Sequence, residues 1–279
     1  MFLKKLIKVI FKSVVDFYRD GGLMLAGSIS YFSMMAFVPF CLFLVTIFGY
    51  FLGENRELIT FFSEKLTRYF PEITSEITKE LERIISYKGI GFFTLGLYWF
   101  LSFELFAAME KAIDVIFKIK KKRSFIVSLI LSFLLVTVII CFIILSFIAT
   151  SIISMVKIYK AYFPKIEIGA IVGYVISIVV PFMLMLFTLT TLYTFLPKKR
   201  VKIYHAFFGA FFSAVLFEIA KYLFTAYISG VLQLGTIYGS LSAFVIFLLW
   251  IFYSTCIFLI GAEMVHNLEI SKKERRTKV

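Results

Sequence analysis

Over residues 2–18, FLKKLIKVIFKSVVDFY, apolar side chains recur at helical spacing. Leu3, Leu6, Ile7, Ile10, Phe11 and Val14 share one side, with Lys4, Lys5, Lys8 and Lys12 on the other. That pattern predicts a basic amphipathic helix lying in a membrane interface rather than crossing it. Arg19-Asp20-Gly21-Gly22 breaks it. From there the chain turns to long, almost wholly apolar runs separated by polar or basic clusters. They fall at about Leu23–Leu52, Gly91–Phe117, Phe125–Ile153, Ile168–Leu196, Ile203–Val231 and Leu241–Val265. Apolar runs of about 18 or more residues read as transmembrane helices. Between the first two lies a polar excursion, 54–88, with two amphipathic stripes. One is Leu58, Phe61, Phe62, Leu66 and Tyr69; the other, beyond Pro71, is Ile73, Ile77, Leu81, Ile84 and Ile85. The predicted fold is all-α: one polytopic membrane domain of six transmembrane helices over 1–279. Residues 1–20 form a cytoplasmic amphipathic helix, 54–88 extracytoplasmic amphipathic helices serving as a lid or a cap, and 266–279 a basic cytoplasmic tail.

Composition supports this reading. Of 279 residues 61% are hydrophobic, 36 are Phe, and the mean hydropathy is +0.96, well above the ~45–50% apolar content of soluble domains. The net charge of +13 would suggest nucleic acid in a soluble protein. Here the basic residues stand in short clusters between apolar runs, so they bear on orientation instead. With six spans, the N-terminus, the 118–123 loop, the 198–202 loop and the C-terminus share one side. Lys and Arg there outnumber those on the other side about two to one, which places both termini in the cytoplasm. No cleavable signal peptide is expected, since no small-residue cleavage site precedes the first long run. Cys41, Cys141 and Cys256 lie inside apolar runs and read as small buried hydrophobes, not as a disulfide or metal motif.

Two spans carry an interior proline. Pro39 and Pro181 are expected to act as structural hinges, each marking a bend or an unwound turn. Around them Val38-Pro39-Phe40-Cys41-Leu42-Phe43-Leu44 nearly repeats as Val180-Pro181-Phe182-Met183-Leu184-Met185-Leu186. Equivalent three-span halves would then have opposite orientation, the inverted-repeat design of many secondary transporters.

The spans also carry charges: Glu104, Glu110, Lys111, Asp114, Glu218, Lys221 and Glu263. A charge at mid-membrane costs roughly 2.5–3.5 kcal/mol on insertion scales, so it faces a protein interior or a cavity and finds a partner. Glu104 lies roughly 20 Å into its run at ~1.5 Å per residue, near mid-bilayer. Glu110, Lys111 and Asp114 are closer to the Lys118–Arg123 end, where snorkelling reaches water. Glu218 and Lys221 share one helix face at a depth comparable to Glu104. The expectation is therefore that Glu104 approaches Lys221, with Glu218 nearby, as interhelical glue or as a polar pocket for a substrate or protons. Glu263 ends the sixth span; it is expected to anchor it against Lys111 or the basic loops, and is also a candidate for the substrate or proton pathway. Tyr238-Gly239-Ser240 before that span reads as a helix-entry turn, with Tyr238 a further pathway candidate. Trp250, mid-span, calls for an indole partner inside the bundle.

Several stretches carry a resemblance. Ala26-Gly27-Ser28-Ile29-Ser30-Tyr31-Phe32 running to Pro39, Glu218-Ile219-Ala220-Lys221, Tyr238-Gly239-Ser240-Leu241, Leu249-Trp250-Ile251 and Gly261-Ala262-Glu263 occur in order along the chain. This set resembles the YihY/virulence factor BrkB family, also labelled UPF0761. The resemblance implies a six-span bacterial inner-membrane protein with proposed transport or envelope roles; an older ribonuclease label for the family is generally regarded as a misassignment. Where relatives often have Asn, this chain has Asp114, an additional ionisable group.

Catalysis is not expected. His205 and His266 sit at predicted cytoplasmic span ends, and there is no GxSxG, HExxH, P-loop or metal-spaced Cys/His set. No cofactor, metal or nucleic-acid partner is implied. The readings left are a transporter or flippase-like permease for a solute or lipid, and a non-transporting scaffold or envelope-maintenance protein. In the second, basic cytoplasmic clusters hold anionic membrane lipid or a partner protein. Either could self-associate as a homo-oligomer.

Overall fold

A computed structural model describes residues 2–52, 91–120, most of 124–131, 168–230 and 241–277. The described residues are all-helical, with no strand among them. The helices are α1 Phe2–Arg19, α2 Gly22–Leu52, α3 Gly91–Ile116, α4 Ile168–Phe195, α5 Ile203–Gly230 and α6 Leu241–Thr277. Residues 126–128 and 130–131 are helical as well. Two stretches among the described residues are long and apolar enough to cross a membrane: Ile203–Tyr227 on α5 and Phe244–Ile270 on α6, of 25 and 27 residues. At ~1.5 Å per residue each exceeds the ~30 Å hydrocarbon core. Gly22–Phe37 and Val179–Phe195 are shorter apolar stretches. The 54–88 excursion, Tyr238 and nearly all of the expected third span lie outside the described residues.

The chain divides into two compact units interleaved in sequence. One comprises Met1–Ala26, Met109–Ser229 and Tyr253–Val279; the other comprises Gly27–Ala108 and Gly230–Phe252.

In the first unit, α1 ends where Gly21 takes a left-handed backbone, φ +73°. Its N–H reaches the Tyr18 carbonyl at 3.3 Å, one bond of the glycine C-cap. The turn into α2 is tight, because a side chain on Gly22 would run into the Phe17 ring and carbonyl. Two faces of α1 are apolar. Val9, Ser13 and Phe17, four apart, are buried. Ile7, Phe11 and Tyr18 are exposed, the face an interfacial helix offers to lipid. At the other end of the unit α3 closes with a Schellman motif, Lys118 N–H to the Val115 carbonyl at 3.0 Å and Ile119 N–H to the Asp114 carbonyl at 2.9 Å. Lys118 itself occupies the left-handed position, φ 53°, which costs a non-glycine residue about 1–2 kcal/mol.

Helices α5 and α6 meet through small residues. Ala206, Gly209, Ala210, Ser213 and Ala214 line one side of α5, all buried. A Cβ on Gly209 would strike Val265, and one on Gly261 would strike the Ser213 hydroxyl and the Tyr193 ring. Small residues let helix backbones approach in this way. Tyr193 of α4 locks the crossing: its hydroxyl bonds Ser213 Oγ at 2.9 Å and donates to the Phe258 carbonyl at 2.7 Å. Its ring stacks on Phe258, centroids 5.3 Å apart.

α4 runs unbroken through Pro181, and α2 is helical throughout Gly22–Leu52, which includes Pro39. Neither proline therefore opens an unwound turn. Downstream of Pro181, Thr188, Thr190, Thr191 and Thr194 each turn the hydroxyl back onto the carbonyl four residues earlier, satisfying a polar side chain on an apolar helix. The helix stops before Pro197, whose ring disfavours a helical predecessor.

The second unit is described by a smaller set of contacts. Ile29, Ser30, Ala36 and Phe106 are buried in it, and Phe37 lies against Phe247 with ring centroids 4.5 Å apart.

Candidate functional site

Polar side chains from five stretches of the first unit converge on one end of its helices. Three connected groups make up this end.

In the first group Glu110 and Asp114, one turn apart on α3, face Lys198 from the segment after α4. Lys198 Nζ donates to Asp114 Oδ2 at 2.5 Å and lies 3.6 Å from Glu110 Oε1. Ser128 donates to Glu110 at 3.1 Å. All three charged groups are mostly buried, so this is not the snorkelling arrangement expected of Glu110 and Asp114. Lys111, between them in sequence, is exposed.

In the second group Glu269, on the last turns of α6, caps the start of α5. Its Oε1 accepts from the Lys202 backbone N–H at 3.0 Å and lies 2.7 Å from His205 Nδ1. A carboxylate at a helix N-terminus is favoured by the free N–H groups and the dipole.

The third group is the least satisfied. Glu263, His266 and Asn267 stand at i, i+3 and i+4 on α6 and so share a face. Asn267 Nδ2 donates to Ser13 Oγ at 3.2 Å and to Asp16 Oδ2 at 3.0 Å, tying α1 to α6. Glu263 is 1% exposed, yet neither carboxyl oxygen accepts from a donor group among the described residues; the side chain at hydrogen-bonding range is another acid, Asp20. The charges acting on it are Asp20, Asp16 and Lys118, not Lys111. Buried His266 likewise has neither ring nitrogen bonded among the described residues and sits edge-on to Phe117, 5.1 Å between centroids. Asp20 meets Lys118 Nζ at 3.8 Å. No group of three or more His, Cys, Asp or Glu among the described residues is arranged to hold a metal ion.

Lys221 pairs with Glu218 of its own helix at 2.7 Å and is 44% exposed. Glu104, half-buried on α3, belongs to the second unit. Asp16, Asp20, Lys198, His266 and Asn267 carry the convergent end, and none was singled out as a site residue from the sequence. Two signals pointed there: aspartates four apart just before Gly21-Gly22, and Glu263-x-x-His266-Asn267 stacked at a span end.

An all-helical chain with membrane-length apolar helices and a buried polar end defines a class, the integral membrane helical proteins. The model of the family described as "Virulence factor BrkB" matches residues 13–279, and the chain belongs to that family. It is 28% identical over 272 residues to a UPF0761 membrane protein of Pseudoalteromonas atlantica, covering 94% of this chain and 87% of that one. A UPF0761 membrane protein of Haemophilus influenzae is 26% identical over 254 residues, 88% of each. One of Kangiella koreensis is 25% identical over 279 residues, 98% of this chain and 66% of the relative. No solved structure matches the chain.

Proposed function

We propose that this protein is a permease or flippase-like transporter of the bacterial inner membrane. On this reading it has six spans and cytoplasmic termini, and moves a solute or lipid without altering it chemically. One observation carries the reading: Glu263, buried in the helix bundle, receives no donor group on its carboxyl oxygens among the described residues and meets another acid, Asp20. A group so costly to keep inside a membrane is retained for ligands, ions or protons, whereas anchoring alone would be served by the Tyr193 and Asn267 contacts already present.

The test is flux in proteoliposomes, with a panel of labelled solutes and lipids presented to wild type and Glu263→Gln. Flux of at least one cargo, falling tenfold or more in the variant, supports the reading. Absence of flux across the panel for wild-type protein in oriented, monodisperse preparations sinks it.

A second reading rests on a different observation. The exposed stripe Ile7, Phe11 and Tyr18 of α1, beside exposed Lys8 and Lys12, fits an anionic lipid surface. A scaffold bound there would keep its membrane role when flux is nil.

A further inference from the structure

We propose that Glu263 is a proton-exchange site, with Asp20, just after α1, as its route to water. As a coupling site it deepens and rests on the transport reading; as a site of protonation it stands by itself.

An ionised carboxylate needs donors or a cation when water is removed. Neither Glu263 oxygen accepts from a donor group among the described residues. Its polar neighbour at hydrogen-bonding range is another acid, Asp20, just after α1, and the other charges acting on it are Asp16 of α1 and Lys118 from the end of α3. Two carboxyls that face one another do not readily ionise together, and a proton on one supplies the donor that the other lacks. On its own helix the neighbour is His266, buried and unbonded among the described residues, with Lys199 and Lys118 the nearby cations acting on it. A proton shared with Asp20 neutralises such a pair without any donor from elsewhere.

Exposure grades outward along this set. Glu263 is 1% exposed, the side chain of Asp20 is 20% and that of Lys118 is 66%. In the exchange step the Glu263 O–H bond breaks, and its proton passes to an Asp20 carboxylate oxygen and then to water. Glu263 is left as the carboxylate, and return of the proton restores it. Lys118, at 3.8 Å from Asp20, compensates the charge left behind. No oxidant or co-reactant is needed.

The test is infrared difference spectroscopy on purified full-length protein in lipid, titrated from neutral to alkaline pH. The expected result is a protonated-carboxyl band that disappears on alkalinisation and is missing in Glu263→Gln. In wild-type protein grown on carbon-13-labelled glutamate the same band should shift, which assigns it to Glu without any substitution. Asp20→Asn should keep the band but slow its loss in a pH jump several-fold. A wild-type protein with no titrating carboxyl band overturns the proposal, as does a band unmoved by both the isotope and Glu263→Gln. Flux measured on the same preparations separates the two ideas: a band without flux leaves the proton site and removes the transporter, and flux without a band does the reverse.

Discussion

Lys198 is placed so that two acids depend on it. Its ammonium serves Asp114 at 2.5 Å and Glu110 at 3.6 Å, with all three groups largely out of water. Removing one member of a buried set strands the others, at about 3–5 kcal/mol. Lys198→Met should therefore lower thermal stability in detergent sharply. Adding Glu110→Gln and Asp114→Asn to it should recover part of the loss. Equal and additive losses in that cycle would mean that the three groups do not interact. Tyr193 makes the converse case, a neutral hydroxyl buried between Ser213 and the Phe258 carbonyl. Tyr193→Phe leaves a buried hydroxyl and a buried carbonyl short of a partner, worth about 1–3 kcal/mol. The expected readout is a lower unfolding temperature with little change in helix content.

At the scale of elements, the crossing of α5 on α6 tolerates no added volume. Gly261→Ala would drive a methyl into Ser213 and Tyr193, and overpacking of this kind costs roughly 1–3 kcal/mol. Gly27→Ala, with nothing within 4 Å of the new atom, should be neutral or gain up to about 1 kcal/mol of helix propensity. Comparable folding yields for the two variants would contradict the close approach.

The helices themselves were legible in the sequence: α2 to α5 begin and end within about a residue of the apolar runs, because the run and its polar flanks are local signals. The polar end was not. Depth along a single span ranked Glu104 and Lys221 as the costly charges, yet burial depends on which helices abut. Ser13 and Asp16 meet Asn267 across some 250 residues of sequence, and no local pattern encodes that meeting. The stretch 266–279 was read as a basic cytoplasmic tail. His266 and Asn267 are buried and the helix continues to Thr277, since their side chains have α1 and α3 to pack against.

For the whole molecule the open expectation is orientation. The basic asymmetry predicts that cysteines introduced at Ser63 and Thr74, both outside the described residues, label from the extracytoplasmic side alone. Labelling only from the cytoplasm would reverse the topology. On that topology α6 has a mechanical consequence. It is one helix of 37 residues, so the backbone of the basic stretch 272–276 continues a rod and does not trail as a loose string. At ~1.5 Å per residue Arg276 stands up to about 16 Å beyond Val265. With a physiological Debye length of about 8 Å, an upright rod would carry its end beyond most of the field of the lipid headgroups. A leaning rod would press it onto the headgroups. The salt dependence of a fluorophore near the C-terminus would thus report the tilt of α6.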